Sequence, residues 1–169
     1  MNIFATSPCP VKSAEILDDK RVIKMILESA QLMSTAIREH GGEAPYKTTH
    51  KNHPSNIWAR ETRANYIWLL EHFEALCSEY TKRYGKVHKS YDYIMDFEYG
   101  IQHIPQGNLT EMPKCMPDEF KTDDVYESYQ LYLINKWQND KRSPTWNREY
   151  MNNKEIFVML DELDEVTYA

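Results

Sequence analysis

The sequence predicts an all-α fold: one compact domain of three to four main helices, with long loops carrying the chemistry. Three observations predict it. Two long stretches carry apolar residues at helical spacing, no stretch alternates apolar and polar residues as a strand does, and prolines and glycines gather between the periodic stretches. At 169 residues the chain is long enough to bury a proper core as a single unit, residues 1–169. No apolar run approaches the ~18 residues that span a bilayer, and the amino terminus lacks the apolar core of a signal peptide. Cys9, Cys77 and Cys115 are unrelated in spacing, which suits free thiols in a reducing cytoplasm.

Residues 1–17, broken by Pro8 and Pro10, are expected to be extended and turn-like. From about Asp19 to Glu39, Val22, Ile26, Ala30, Met33 and Ile37 define one helix face, and Gly41-Gly42 ends it. Lys24, Glu28, Gln31 and Thr35 share the far face, with Met25 and Leu32 beside Glu28. Glu28 is then either a solvated i, i+4 partner of Lys24 or an acid/base group with apolar flanks.

The segment "GGEAPYKTTHKNHP" reads as a polar loop. Ser55 is expected to cap a long second helix through Tyr84, closed by Gly85, with Leu69, Phe73 and Leu76 facing Ile26, Ala30 and Met33 of the first. Residues 86–118 look irregular, an insertion holding one short helix near Tyr91–Tyr99. Asp123 or Asp124 starts a third helix through Trp137, and the acidic segment 152–169 suggests a last short one.

The net charge of −6 is unevenly spread. Residues 34–90 carry nine bases against six acids and five of the six histidines, whereas residues 91–169 carry seven bases against sixteen acids. A general polyanion binder would show a stronger basic excess, so any nucleic-acid contact is expected to be a local groove. Lys47, Thr48, Thr49, His50, Lys51, Asn52 and His53 form a dense run of donors suited to phosphate oxygens, and equally a solvated loop. Arg60 and Arg63 extend that track or pair with surface acids. His50 and His53 stand in a loop without the spacing of a zinc site, so neither a metal nor any other cofactor is called for. No serine or cysteine nucleophile motif appears. Lysines and the α-amine remain, and the amine's ordinary pKa of about 7.7–8.0 leaves a useful neutral fraction near pH 7.

The blocks "SAEILDDKRVIKMILESAQ", "NHP" and "EYTKRYGK", with "RSPTWNREY" near the end, resemble in content and order the pyrimidine-dimer DNA glycosylase (endonuclease V-like) family. The resemblance implies an all-α fold and a bifunctional DNA-repair enzyme. The α-amine attacks C1′ of a damaged nucleotide, the base departs as an imine forms, and a glutamate on the first helix assists the β-elimination that nicks the strand. Glu28 matches that glutamate. Asn2 is too large for ordinary methionine excision, so the amine is that of Met1. Lys24, Lys47, His50, Lys51, His53, Arg60 and Arg63 are then expected along the DNA, and Trp146 and Tyr150 near the lesion or an extruded base. Leu27 and Gln31 stand where arginines flank the family's glutamate. With the acidic net charge, that leaves open a nucleotide- or base-modifying transferase or hydrolase on the same fold. A non-enzymatic phage protein that binds a host partner is the third class. The expected location is the cytoplasm, the host's if the gene is a phage's.

Overall fold

The structure, a computed structural model, describes residues 1–147, and these are helical with no strand among them. The six α-helices are α1 (Pro10–Glu15), α2 (Asp19–Glu39), α3 (Pro54–Glu61), α4 (Arg63–Tyr84), α5 (Ile94–Tyr99) and α6 (Val125–Asn139). No helix in this range is long and apolar enough to cross a membrane. The acidic segment 152–169 lies outside the described residues.

α2 has the expected bounds, and both ends show why. The Asp18 carboxylate accepts from the Arg21 backbone N–H at 3.3 Å, satisfying one of the orphan donors of the first turn. At the other end Gly41 adopts φ 84°, Gly41 N–H reaches Arg38 O at 3.0 Å and Gly42 N–H reaches Ile37 O at 2.9 Å. That is the paired closure of a Schellman motif, and it needs a residue free to be left-handed.

Three expectations are corrected. Residues 1–17 are not extended throughout: Pro10 begins α1, because its fixed φ suits a first helical position whose N–H would have no partner anyway. The long second helix is two helices. It breaks at Thr62, which takes an extended conformation (φ −135°, ψ 154°) and whose hydroxyl accepts from Asn65 N–H at 3.1 Å to cap α4. The freed N–H groups of Arg63 and Ala64 donate to Pro105 O and Gly107 O. α3 is capped by the His53 side chain, not by Ser55, which is the second residue of the helix after Pro54.

α2 packs on α4, α1 on α4 and α3 on α2. Ile26, Ala30 and Met33 of α2 and Leu69, Phe73 and Leu76 of α4 are all fully buried, as expected of facing stripes. Residues 86–118 hold α5 between two 3₁₀ turns (Lys89–Tyr93 and Gly100–His103), and buried Phe97 meets Phe73 edge-on at 5.4 Å. α6 starts from Asp124, whose carboxylate accepts from Tyr126 N–H at 2.8 Å.

A second set of contacts closes the chain on itself. Arg83 is buried and bonds Asp19, Glu79 and the carbonyls of Leu17 and Glu15. Thr145 and Asn147 bond the Asp19 carboxylate, and Trp137 N–H donates to Asp18 at 2.8 Å. This polar lock fixes the amino-terminal end of α2, on which the site depends.

Candidate active site at the amino terminus

The first four residues are held in a defined shape. Asn2 Oδ1 accepts from the backbone N–H groups of Ile3 at 2.7 Å and Phe4 at 3.1 Å, and Phe4 takes a left-handed φ of 55°. Ile3, Phe4 and Ala5 are buried. The chain start is thereby tucked in, and the Met1 side chain is itself only 4% exposed.

Its α-amine lies 3.9 Å from Oε1 of Glu28, nine residues into α2. The Glu28 side chain is 18% exposed, and its second oxygen, Oε2, is buried without a hydrogen-bond partner among the described residues. Met25 and Leu32, one on each side along the helix, are buried. Lys24 is exposed and no ion pair joins it to Glu28. The surface pair with Lys24 is therefore not formed, because Glu28 turns toward the chain terminus instead. The far face of α2 is less open than the helical wheel implies. Thr35 is buried, its hydroxyl accepting from Thr49 N–H at 3.2 Å.

That contact anchors the polar loop. Asn56, buried in α3, donates to Thr49 O at 2.8 Å and His50 O at 3.0 Å, and His50 takes a left-handed φ of 47°. His53 uses Nδ1 to accept from Ser55 N–H at 3.1 Å, which leaves the neutral ring's proton on Nε2. Burial pushes its pKa below the ordinary histidine value, assisted by the positive charge of the α-amine and by His50. The amine, Glu28 and the His50–His53 turn thus share one electrostatic neighbourhood.

The expected cations divide. Lys47, His50 and Lys51 are exposed. The Arg60 guanidinium donates to Lys51 O at 2.7 Å, and Arg63 donates to Ile104 O at 3.0 and 3.2 Å and to Gln102 O. Both arginines brace backbone, which leaves less of each for a phosphate. Trp146 is placed in the polar lock: its indole N–H donates to Ile16 O at 2.8 Å and its ring meets Trp137 edge-on at 5.0 Å. Tyr150 lies outside the described residues. No group of three or more His, Cys, Asp or Glu suited to a metal occurs among the described residues.

Several residues that brace the chain start, the polar loop and the α3–α4 junction carry no advance signal. Asn2 donates from Nδ2 to Cys115 O at 2.9 Å across 113 positions of sequence. Asn65 exchanges bonds with Thr110, its amide donating to the hydroxyl at 2.8 Å and its oxygen accepting from the backbone N–H at 2.9 Å. Asn56 stands in "HPSN", where its type suggests only a turn. Two cavities along α4, one between Glu15 and Lys82 and one between Glu74 and Tyr91, are lined by none of the site's groups.

No curated protein and no solved structure matches the chain. A profile of the family described as pyrimidine dimer DNA glycosylase matches residues 1–92, which carry Met1, Glu28, the polar loop and both arginines. The chain belongs to the pyrimidine dimer DNA glycosylase family.

Proposed function

We propose that the protein is a DNA glycosylase with an associated AP-lyase step, acting on damaged or modified pyrimidines through the Met1 α-amine and Glu28. The observation that carries the reading is the pairing of that amine with a helix carboxylate whose other oxygen is buried and unpartnered. A neutral amine attacks C1′ of the nucleotide. The C1′–N bond to the base breaks, its electron pair leaves with the base, and the base takes up a proton. Opening of the sugar ring gives an imine between C1′ and Met1 nitrogen. Glu28 then takes a proton from C2′, and the electrons released expel the 3′-phosphate, so the strand is cut. Hydrolysis of the imine returns the amine. Lys24, Lys47, His50 and Lys51 are exposed and would supply donors for phosphates, and His53, whose pKa the amine's charge helps to lower, would present an Nε2–H donor.

The test is borohydride trapping on DNA containing an abasic site, with the adduct mapped by mass spectrometry. Reduction should fix the DNA to Met1. An adduct on a lysine, or none, would overturn the assignment. One observation favours a second reading, a nucleotide- or base-modifying enzyme on the same fold: Arg60 and Arg63 spend their guanidinium groups on backbone carbonyls in a chain of net charge −6. Tight binding of mononucleotides with weak, salt-insensitive binding of duplex would select it.

A further inference from the structure

The family match ends at residue 92, yet residues beyond it reach the chain start. The contact runs through a short relay. Tyr129 of α6 is fully buried, and its hydroxyl donates to Pro113 O at 2.6 Å while accepting from Cys115 N–H at 3.2 Å. Those two bonds set the backbone of the Pro113–Cys115 turn. Cys115 O then accepts from Asn2 Nδ2 at 2.9 Å. On the other side of the same side chain, Asn2 Oδ1 takes the N–H groups of Ile3 and Phe4. The Cys115 thiol also lies 3.4 Å from the hydroxyl of Ser55, two residues after His53.

We propose that Asn2 is a positioning residue, which with the turn held by Tyr129 fixes the Met1 α-amine against Glu28. The inference rests on the catalytic reading above and deepens it. A chain terminus has a single covalent attachment, and a reactive amine on a free arm would sample many positions. All three polar bonds of Asn2 oppose that freedom. All three start from the Asn2 side chain, one peptide unit from the amine, so loss of any loosens the placement of the nucleophile. Placement errors of about 1 Å can cost on the order of 100-fold in rate.

The experiment compares Asn2→Asp, Asn2→Leu and Tyr129→Phe with the wild type. Asp and Leu both preserve Met1, which intact mass verifies. Asp retains the acceptor for Ile3 and Phe4 but not the donor to Cys115, and Leu retains neither. Tyr129→Phe removes only the hydroxyl, more than a hundred positions away from Met1. On abasic DNA, kcat for imine trapping should fall about 10- to 100-fold, more for Leu than for Asp, with KM for DNA unchanged. The double variant Asn2→Leu/Tyr129→Phe should be little worse than Asn2→Leu, since both cut one relay. Without DNA, reductive methylation of the Met1 amine by formaldehyde should become faster as the terminus is released. Unaltered kcat in all variants, or a fall in kcat accompanied by a raised KM and lower thermal stability, would overturn the positioning role. A wild type that forms no adduct defeats the catalytic reading alone. The methylation rates then decide the relay separately, and unchanged rates in the variants would refute it.

Discussion

The α-amine of Met1 and Oε1 of Glu28 stand 3.9 Å apart, although one is the first atom of the chain and the other sits midway along its first long helix. The contact joins an amine to a carboxylate, the nucleophile and the base of the proposed reaction, without any sequence motif linking them. It exists because residues 3–5 are buried, which brings the chain start back over α2.

The first prediction follows from the oxygen that has no partner. Glu28→Gln should fold normally, since the carboxylate forms one long ion pair and leaves Oε2 unsatisfied. Strand cleavage should fall by at least ~100-fold, because elimination needs a base, while borohydride still traps the imine. Gel assays of nicking and trapping on the same substrate separate the two steps. Equal loss of both would mean that Glu28 serves the amine's attack and not the elimination.

A second prediction concerns DNA contact. Lys47 and Lys51 are the exposed lysines of the loop, whereas Arg60 is tied to Lys51 O and its removal would also loosen the backbone. Lys47→Ala/Lys51→Ala should weaken binding to duplexes of any sequence and lower the slope of log K against log salt by about 2. Binding isotherms at several salt concentrations measure it. An unchanged slope would take this loop off the phosphate track.

α2 was legible because its period and its closing glycines act locally, as does the Asp18 cap seen in the structure. The break at Thr62 was not, since Ala, Arg and Glu around it favour helix and the reason for the break lies at Pro105 and Gly107. Glu28 could be read from the chain only as a carboxylate between apolar neighbours. Its partner emerged through the family likeness, because proximity of a terminus to a helix is a tertiary fact. Asn2 was invisible as a site residue for the same reason, its partner Cys115 being 113 positions away. Trp146 was legible as an aromatic in a recurring block, but not its use: an indole bonded to Ile16 O.

The packing of α2 on α4 gives a third prediction. Phe73 is fully buried and meets Phe97 edge-on. Phe73→Ala should cost on the order of 3–5 kcal/mol, from lost transfer energy and the cavity left behind. Urea unfolding followed by circular dichroism reads this, and a cost below about 1 kcal/mol would be inconsistent with a core position.

Trp146 supports a fourth. Trp146→Phe keeps an aromatic ring but strands Ile16 O, so stability should drop by about 1–3 kcal/mol with DNA affinity unaltered. A variant of full stability and weakened DNA binding would restore the stacking role that the block first suggested.

The last prediction concerns acid. Trp68 and His72, one turn apart on α4 and stacked at 5.3 Å, hold the arm that carries Met1. The indole N–H of Trp68 donates to Pro8 O at 2.9 Å, and His72 Nδ1 donates to Pro10 O at 2.9 Å. His72 is fully buried, and burial pushes its pKa down to about 4. The unfolded chain, with an ordinary histidine near 6.5, therefore binds a proton more readily than the folded one. This contribution to stability is fully present above about pH 6.5 and is lost as pH falls toward 4. Within that window it declines by up to about 1.4 kcal/mol per pH unit. His72→Gln retains a donor for Pro10 O and cannot titrate, so its stability curve should be flatter between pH 6.5 and 4. Chemical denaturation of both proteins at half-unit intervals compares the slopes. Parallel curves would show that the acid limb arises elsewhere and that His72 is not the group that couples the arm to pH.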